Sequence, residues 1–584
     1  MVGQCKSCLP VYKDCNCNKL FVAGVVVLGG VWIGKQICWL RKYLQMKEKA
    51  AEKRQEAEKS KEELSEKLQT EDEDELAQRE AIVTKSLSEL SAALKSGELT
   101  PVQVLQAFQA KAMETTKELN CVTEPILEAE SLAEDLEEED KGGLLYGIPV
   151  SVKENVNIKG YDSTMGFAKF IDMPAESDSV VVQVLRQQGA IPFVKTNVPQ
   201  SLLSYSCSNT VYGKTTHPTD PSRAPGGSSG GEGALLKRNG SPLGIGTDIA
   251  GSVRIPAQMS GVCALRPSEQ RISNKGIKGC APGQRGLSGG IGIMSRDVEG
   301  VAMAMRALWT PLMFELDCNV APMEFNEEIY SGKKALRIGY CNDDGFFTPI
   351  PSCQRAVNLS KSALEAAGHT LIPFQPPRSA DAIPNLAWKL LHGDGNRTWL
   401  NFFKGEPMDR DMAFQIRTWI KPRLFRMLMR PFVSSRIYDT VEAHAGVRSV
   451  QELWQTQAKA AAYKFEYLAE WRKLNLDVLI CPAFYVTAVS NENSGRIQYA
   501  ASSTVIFNLL NFPAGVVPVT NVTEGDDNEL ATTFPINDSW DKLARDACKD
   551  SAGLPVGVQC VALQYQDELC LRLMKEVETT VKTL

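Results

Sequence analysis

The hydrophobic pattern changes character twice before it settles. From Leu20 to Gly34 the residues are uncharged and mostly apolar, and Lys35 alone interrupts before Ile37, Cys38, Trp39 and Leu40 restore the run. Leu20–Leu40 reaches the length of a membrane span once Lys35 extends its ammonium back to the headgroups. No A-x-A-like cleavage site follows, which argues against a removed signal peptide. Residues 43–80 are dominated by Glu, Lys, Gln and Ala without a sustained apolar heptad, the pattern of a solvated stalk helix with Glu–Lys pairs one turn apart. From Ala81 onward the pattern is that of a folded body. Ser86–Ser96 has helical apolar spacing, and Gly97 with Thr100-Pro101 marks a stop and a new start. Leu144–Val152 reads as a buried strand ending in Lys153-Glu154-Asn155. Val180–Arg186 reads as a helix and Ala190–Val194 as a strand. Pro373–Pro384 and Glu524–Asn528 read as surface loops. Alternating strand and helix signals predict an α/β architecture.

Charge gives this layout a direction. Lys35, Arg41, Lys42, Lys47 and Lys49 outnumber Lys6, Lys13 and Lys19 on the other side of the apolar run, so the bulk of the chain is expected on the cytoplasmic side of a single-pass anchor. The formal net charge of −6 argues against nucleic acid as a partner. Sixteen cysteines are scattered without a repeat from Cys121 on, as expected of unpaired thiols in a reducing compartment. Cys5, Cys8, Cys15 and Cys17 crowd the first 19 residues, and lipidation or free thiols beside a membrane fits them better than a zinc knuckle. No pair among His217, His369, His392 and His444 has helical metal-ligand spacing, so no catalytic metal is expected.

The chemistry concentrates between Gly226 and Pro256, where Ser228, Ser229 and Ser252 sit among many glycines. Backbone this open lets amides approach a ligand closely, the setting of a serine nucleophile with an oxyanion hole. Gly226–Gly230 formally matches G-x-S-x-G, the nucleophile elbow. That elbow needs a strand immediately before it, and the preceding His217–Pro225 carries three prolines. Ser228 is therefore not an elbow nucleophile. Lys153 closes an apolar strand, and a lysine drawn into such a setting loses the hydration of its charged form and can serve as a neutral base.

Gly226–Gly231 followed by Gly246–Pro256 (GTDIAGSVRIP) resembles the amidase signature family of Ser-Ser-Lys hydrolases, with further support from Leu144–Glu154, Thr196–Gln200, Asn511–Val519 and Leu554–Leu563. The similarity spans roughly residues 85 to 580, and the N-terminal apolar run resembles the membrane-bound, fatty-acid-amide-cleaving branch of that family. The resemblance implies a large twisted mixed sheet covered by helices over 81–584, with the anchor in front of it. It implies Ser252 as nucleophile, Ser228 as proton bridge and Lys153 as base. It also implies an oxyanion hole from the amides of Ile249, Ala250, Gly251 and Ser252. Relatives commonly carry glycine where this chain has Ala250, so a positive φ there would strain the hole. Asp248 and Arg254 are expected to be buried supports of the loop.

Between Phe414 and Tyr438 basic residues interleave with Trp419, Leu424, Phe425 and Leu428, the pattern of a helix lying in a headgroup layer and the place where the resemblance puts a membrane cap. The resemblance further implies Leu202, Leu203 and Thr504 as channel-lining residues, a lipid amide substrate, contact with the bilayer, a homodimer and an endomembrane location such as the endoplasmic reticulum. No cofactor is implied. Two other readings stay open: an amidase or amidotransferase-type glutaminase for small soluble amides, and an inactive membrane-tethered lipid-binding protein.

Overall fold

A computed structural model describes residues 17–138 and 142–582, with the side chains of residues 17–33, 138 and 423 left undescribed. Eleven strands form one mixed sheet: β1 (Val122–Pro125), β2 (Pro149–Lys153), β3 (Ile191–Thr196), β4 (Leu243–Asp248), β5 (Cys263–Arg266), β6 (Gly290–Ser295), β7 (Arg337–Tyr340), β8 (Thr370–Pro373), β9 (Val478–Pro482), β10 (Ala514–Asn521) and β11 (Pro555–Val561). Their spatial order is β1-β3-β2-β4-β6-β5-β10-β11-β9-β7-β8. The central strands β2, β5 and β11 are buried along their whole length, and β4 is buried except at half-buried Thr247, as a sheet covered by helices on both faces requires. β2 runs parallel to both of its neighbours, β3 and β4, with Val152 opposite Ile245 and Lys153 opposite Thr196. The carboxyl ends of β2 and β4 therefore lie side by side, where sites in such sheets collect.

Local signals fixed the first helices. Ser86 caps Leu87–Ser96 with a capping box to Glu89, and Gly97 ends it at φ 79°. Thr100 caps Pro101–Leu119 in the same way through Gln103. Two expected loops are in fact helical. Glu524–Thr532 is a helix started by a capping box between Thr523 and Asp526. Beyond β8, Ser379–Ala382 turns helical and continues into Ile383–Trp388, burying Ile383 and Pro384 despite the prolines.

The stretch read as a solvated stalk behaves differently. A single helix runs from Cys17 to Lys67 and lies against the body. Ala50 and Ala57 pack on Ala168, Ile171, Val211 and Tyr212. Lys49 donates to the Ile171 carbonyl at 2.7 Å, Arg54 to the Val211 carbonyl at 2.8 Å, and Lys53 pairs with Glu124 at 2.6 Å. Small alanines on one face let the backbone approach closely, and the flanking cations reach over to carbonyls and a carboxylate. The anchor expected over Leu20–Leu40 falls largely on undescribed side chains. Among the described residues no helix is long and apolar enough to cross a membrane.

Candidate active site

Lys153 stands at the carboxyl end of β2 and is fully buried. Its Nζ lies 2.8 Å from Ser228 Oγ, 2.8 Å from Thr247 Oγ1 and 3.2 Å from the Thr247 carbonyl, Thr247 being in the adjacent strand β4. Burial pushes the Lys153 amine down to about 7, against the opposing pull of the Asp248, Glu232 and Glu154 carboxylates. Glu232, fully buried beneath the site, is itself pushed up to about 7 by burial and is held by hydrogen bonds from Ser151 and Thr196. Near neutral pH the amine is thus available in its unprotonated form.

The loop before the helix Gly230–Lys237 selects between the two adjacent serines. Gly227 leaves no room for a side chain, since a Cβ there would meet the Ser204 carbonyl oxygen at 2.1 Å. The Ser229 hydroxyl faces the Thr247 carbonyl at 3.5 Å, while its amide donates to the Ser252 carbonyl at 3.0 Å. Ser228, not Ser229, is the serine beside Lys153. Ser228 and Ser252 line one cavity of about 300 Å³.

The turn carrying Ser252 is clamped by a buried ion pair. Arg254 Nη2 lies 2.8 Å from Asp248 Oδ1, and the guanidinium also donates to Gln559 Oε1 at 2.8 Å and to the Thr504 carbonyl at 3.0 Å. Burial alone would raise the Asp248 carboxyl, but the Arg254 guanidinium outweighs it and holds the group well below the usual carboxylate range. A buried pair survives only when its remaining donors and acceptors are met, and here they are. Asp248 Oδ1 also accepts from the Gly251 amide at 2.8 Å. That bond turns the Gly251 amide toward Asp248 rather than into the cavity. Of the four amides expected in the oxyanion hole, those of Ile249, Ala250 and Ser252 have no partner among the described residues.

The left-handed step falls on Gly251, at φ 115°, and Ala250 is not among the residues of positive φ. The methyl of Ala250 therefore costs no backbone strain, and Ala250 borders a second, enclosed cavity beside Ser252. Thr504, expected in the channel, is fully buried. Its hydroxyl donates to the Ala250 carbonyl at 2.7 Å and to that of Ala501 at 2.9 Å, so it buttresses the turn. Leu202 and Leu203 border both cavities.

The cap segment divides. Trp419, at 6% exposure, points inward against His392, Trp399 and His444, because it shares the buried face of the helix Arg410–Trp419 with Gln415 and Ile416. It is not a surface anchor. Leu424, Phe425 and Leu428, on the helix Arg423–Met429, are 62%, 46% and 60% exposed, and Phe432 is 84% exposed. Lys42 on the long N-terminal helix packs near Gly405, in the loop that precedes the helix Arg410–Trp419. Sequence reasoning passed over Thr247, which grips Lys153, and over His392, Gln415 and Gln498 in the enclosed cavity; single polar residues in three separate segments carry no local pattern.

A family model described as Amidase matches residues 103–571. Fatty-acid amide hydrolase 1 of Sus scrofa is 44% identical over 505 residues, covering 85% of this chain and 86% of the relative. Fatty acid amide hydrolase 1 of Caenorhabditis elegans is 39% identical over 513 residues, covering 86% of this chain and 89% of the relative. A solved structure of fatty acid amide hydrolase superposes with a TM-score of 0.75 at 25% identity, covering 93% of this chain and 95% of that one. The matched region holds every strand of the sheet together with Lys153, Ser228 and Ser252, and on that ground the chain belongs to the amidase signature family of amide hydrolases.

Proposed function

We propose that the protein is a membrane-associated serine hydrolase that cleaves fatty-acid amides to free acid and amine. The observation that carries the catalytic part is the buried Lys153 amine, 2.8 Å from Ser228 in the cavity that Ser252 shares. In the forward step Ser252 Oγ attacks the amide carbonyl carbon and passes its proton to Ser228, whose own proton goes to neutral Lys153. The developing oxyanion is met by the amides of Ile249, Ala250 and Ser252; loss of one such donor typically costs about 2.7–4 kcal/mol. Lys153 then returns the proton through Ser228 to the departing nitrogen, the carbon–nitrogen bond breaks, and an acyl ester on Ser252 remains. Water then attacks the ester carbonyl, its proton passing through Ser228 to Lys153, and the proton returns to Ser252 Oγ as the ester C–O bond breaks and the free acid leaves. Because an amine is a poor leaving group, protonating it matters as much as activating the serine.

The lipid part rests on the exposed Leu424, Phe425, Leu428 and Phe432, which with the apolar run Leu20–Leu40 would hold the body on a bilayer. A homodimer on an endomembrane, with the body on the cytoplasmic side, completes the reading. Ser252 borders both cavities, and the one of about 300 Å³ is the one with room for the substrate chain. One observation favours a small-amide amidase instead: the enclosed cavity measures only about 30 Å³. Two measurements decide. Fluorophosphonate labelling should vanish in Ser252→Ala, and survival there with loss in Ser228→Ala would return Ser228 as nucleophile. A long-chain primary amide should be hydrolysed with higher kcat/KM than butyramide; the opposite order sinks the lipid reading.

A further inference from the structure

The enclosed cavity beside Ser252 is unusual in what lines it. It is bordered by Ile249, Ala250 and Ser252 and by Gln415 and Trp419, which lie one turn apart on the buried face of the helix Arg410–Trp419. Gln415 is 1% exposed, and neither its amide oxygen nor its amide nitrogen has a partner among the described residues. The indole N–H groups of Trp388 and Trp419, both bordering the same cavity, are also without partners among the described residues. Buried polar groups are normally paired, so four unpaired atoms around one small space mark a place where hydrogen bonds are to be made by something that enters.

The lining also limits the charge of what enters. His392 is the only titratable ring there besides Tyr205, and burial pushes its imidazole down to about 4, so it is neutral. His392 Nδ1 is held at 2.5 Å by Asn396. No lysine, arginine or carboxylate borders the cavity. A carboxylate or an ammonium would find no counter-ion, and a bare methylene would leave both Gln415 atoms and both indoles unpaired. A neutral group that donates one hydrogen bond and accepts others meets them all, and a space of about 30 Å³ is the size of one hydroxyl rather than of a further length of chain.

Resting on the lipid-amide reading, we propose that this cavity is a specificity pocket for an oxygenated acyl chain. A hydroxyl on the chain donates to Gln415 Oε1 and accepts from Gln415 Nε2 or an indole N–H. Gln415 is then the residue that separates hydroxylated from plain fatty-acid amides. A site built to pair a substrate hydroxyl rejects the analogue that lacks it, because its own polar groups are left unpaired.

The test uses the full-length protein in detergent, octadecanamide, a series of octadecanamides each bearing one hydroxyl at successive chain carbons, and butyramide. Active sites are counted by fluorophosphonate labelling, so that ratios refer to folded enzyme. At least one hydroxylated amide should exceed octadecanamide in kcat/KM by about tenfold. Q415L should cut that ratio at least fivefold, and Q415N should retain part of it. Should Q415L fail to label, Trp388→Phe, which removes only an indole N–H, should still lower the ratio. If octadecanamide is turned over well and no hydroxylated member exceeds it by more than twofold, or if the preference survives Q415L and Trp388→Phe, the pocket assignment is overturned while the lipid reading stands. If every long-chain amide falls below butyramide, the lipid reading fails, and the pocket assignment with it.

Discussion

At the scale of single residues, Lys153 and Gly251 decide most. The Lys153 amine must be neutral to take a proton, so kcat/KM should rise with pH through about 7 and level off above it. Lys153→Ala should slow acylation most at neutral pH and recover partly as pH rises; a flat, unrescued profile would count against a base role. The same burial has a stability consequence. Between about 7 and the ordinary 10.5 the unfolded chain holds a proton on Lys153 that the folded chain does not, so this group makes stability rise with pH across that window. Lys153→Met should therefore melt higher than the wild type near pH 7 while losing turnover, which differential scanning calorimetry would read directly. Gly251 holds the positive φ of the turn, and a Cβ there would meet Thr504 Oγ1 at 2.5 Å. Gly251→Ala should cost at least about a hundredfold in kcat, the order of a lost oxyanion donor. Ala250→Gly should change kcat by less than about threefold, because no left-handed backbone is being relieved.

Among the elements, the two that meet the proposed membrane face make separable contributions. Leu424, Leu428 and Phe432 are largely exposed, and burying one such side chain is worth about 1.5–3 kcal/mol. Replacing all three by glutamate should lower sedimentation with anionic liposomes by at least about tenfold in a protein lacking residues 1–42. Equal binding before and after would remove the cap assignment. The long N-terminal helix behaves as part of the body below about Lys42. Deleting residues 1–42 leaves the Ala50 and Ala57 contacts whole, whereas deleting 1–67 uncovers Ile171 and Tyr212 and strips Glu124 of Lys53. The shorter deletion should keep the melting temperature within about 2 °C, and the longer should lower it clearly, since partly desolvated carboxylates lose their pairing.

For the whole molecule, the sheet is what turns scattered sequence signals into a site. The turn Asp248–Arg254 was legible because its chemistry is local: glycine for the left-handed step, and an acid and a base close enough to lock across the turn. Helix starts at Ser86 and Thr100 were legible for the same reason, their caps lying within four residues. The expectation of a solvated stalk failed because a face of small alanines looks polar-helical until a partner surface is present. Trp419 was misplaced because an aromatic among basic residues reads the same whether its helix turns it outward or inward. The sequence by itself determined the α/β class, the strand that ends in Lys153 and the turn Asp248–Arg254 that carries Ser252, since each depends on neighbours along the chain. Only the tertiary structure set Ser228 against the Lys153 amine, placed the left-handed step on Gly251 rather than Ala250, and gathered Gln415, Trp388 and His392 around one cavity. Those choices depend on the parallel pairing of β2 with β4 and on helix packing from distant segments, contacts that no local pattern encodes.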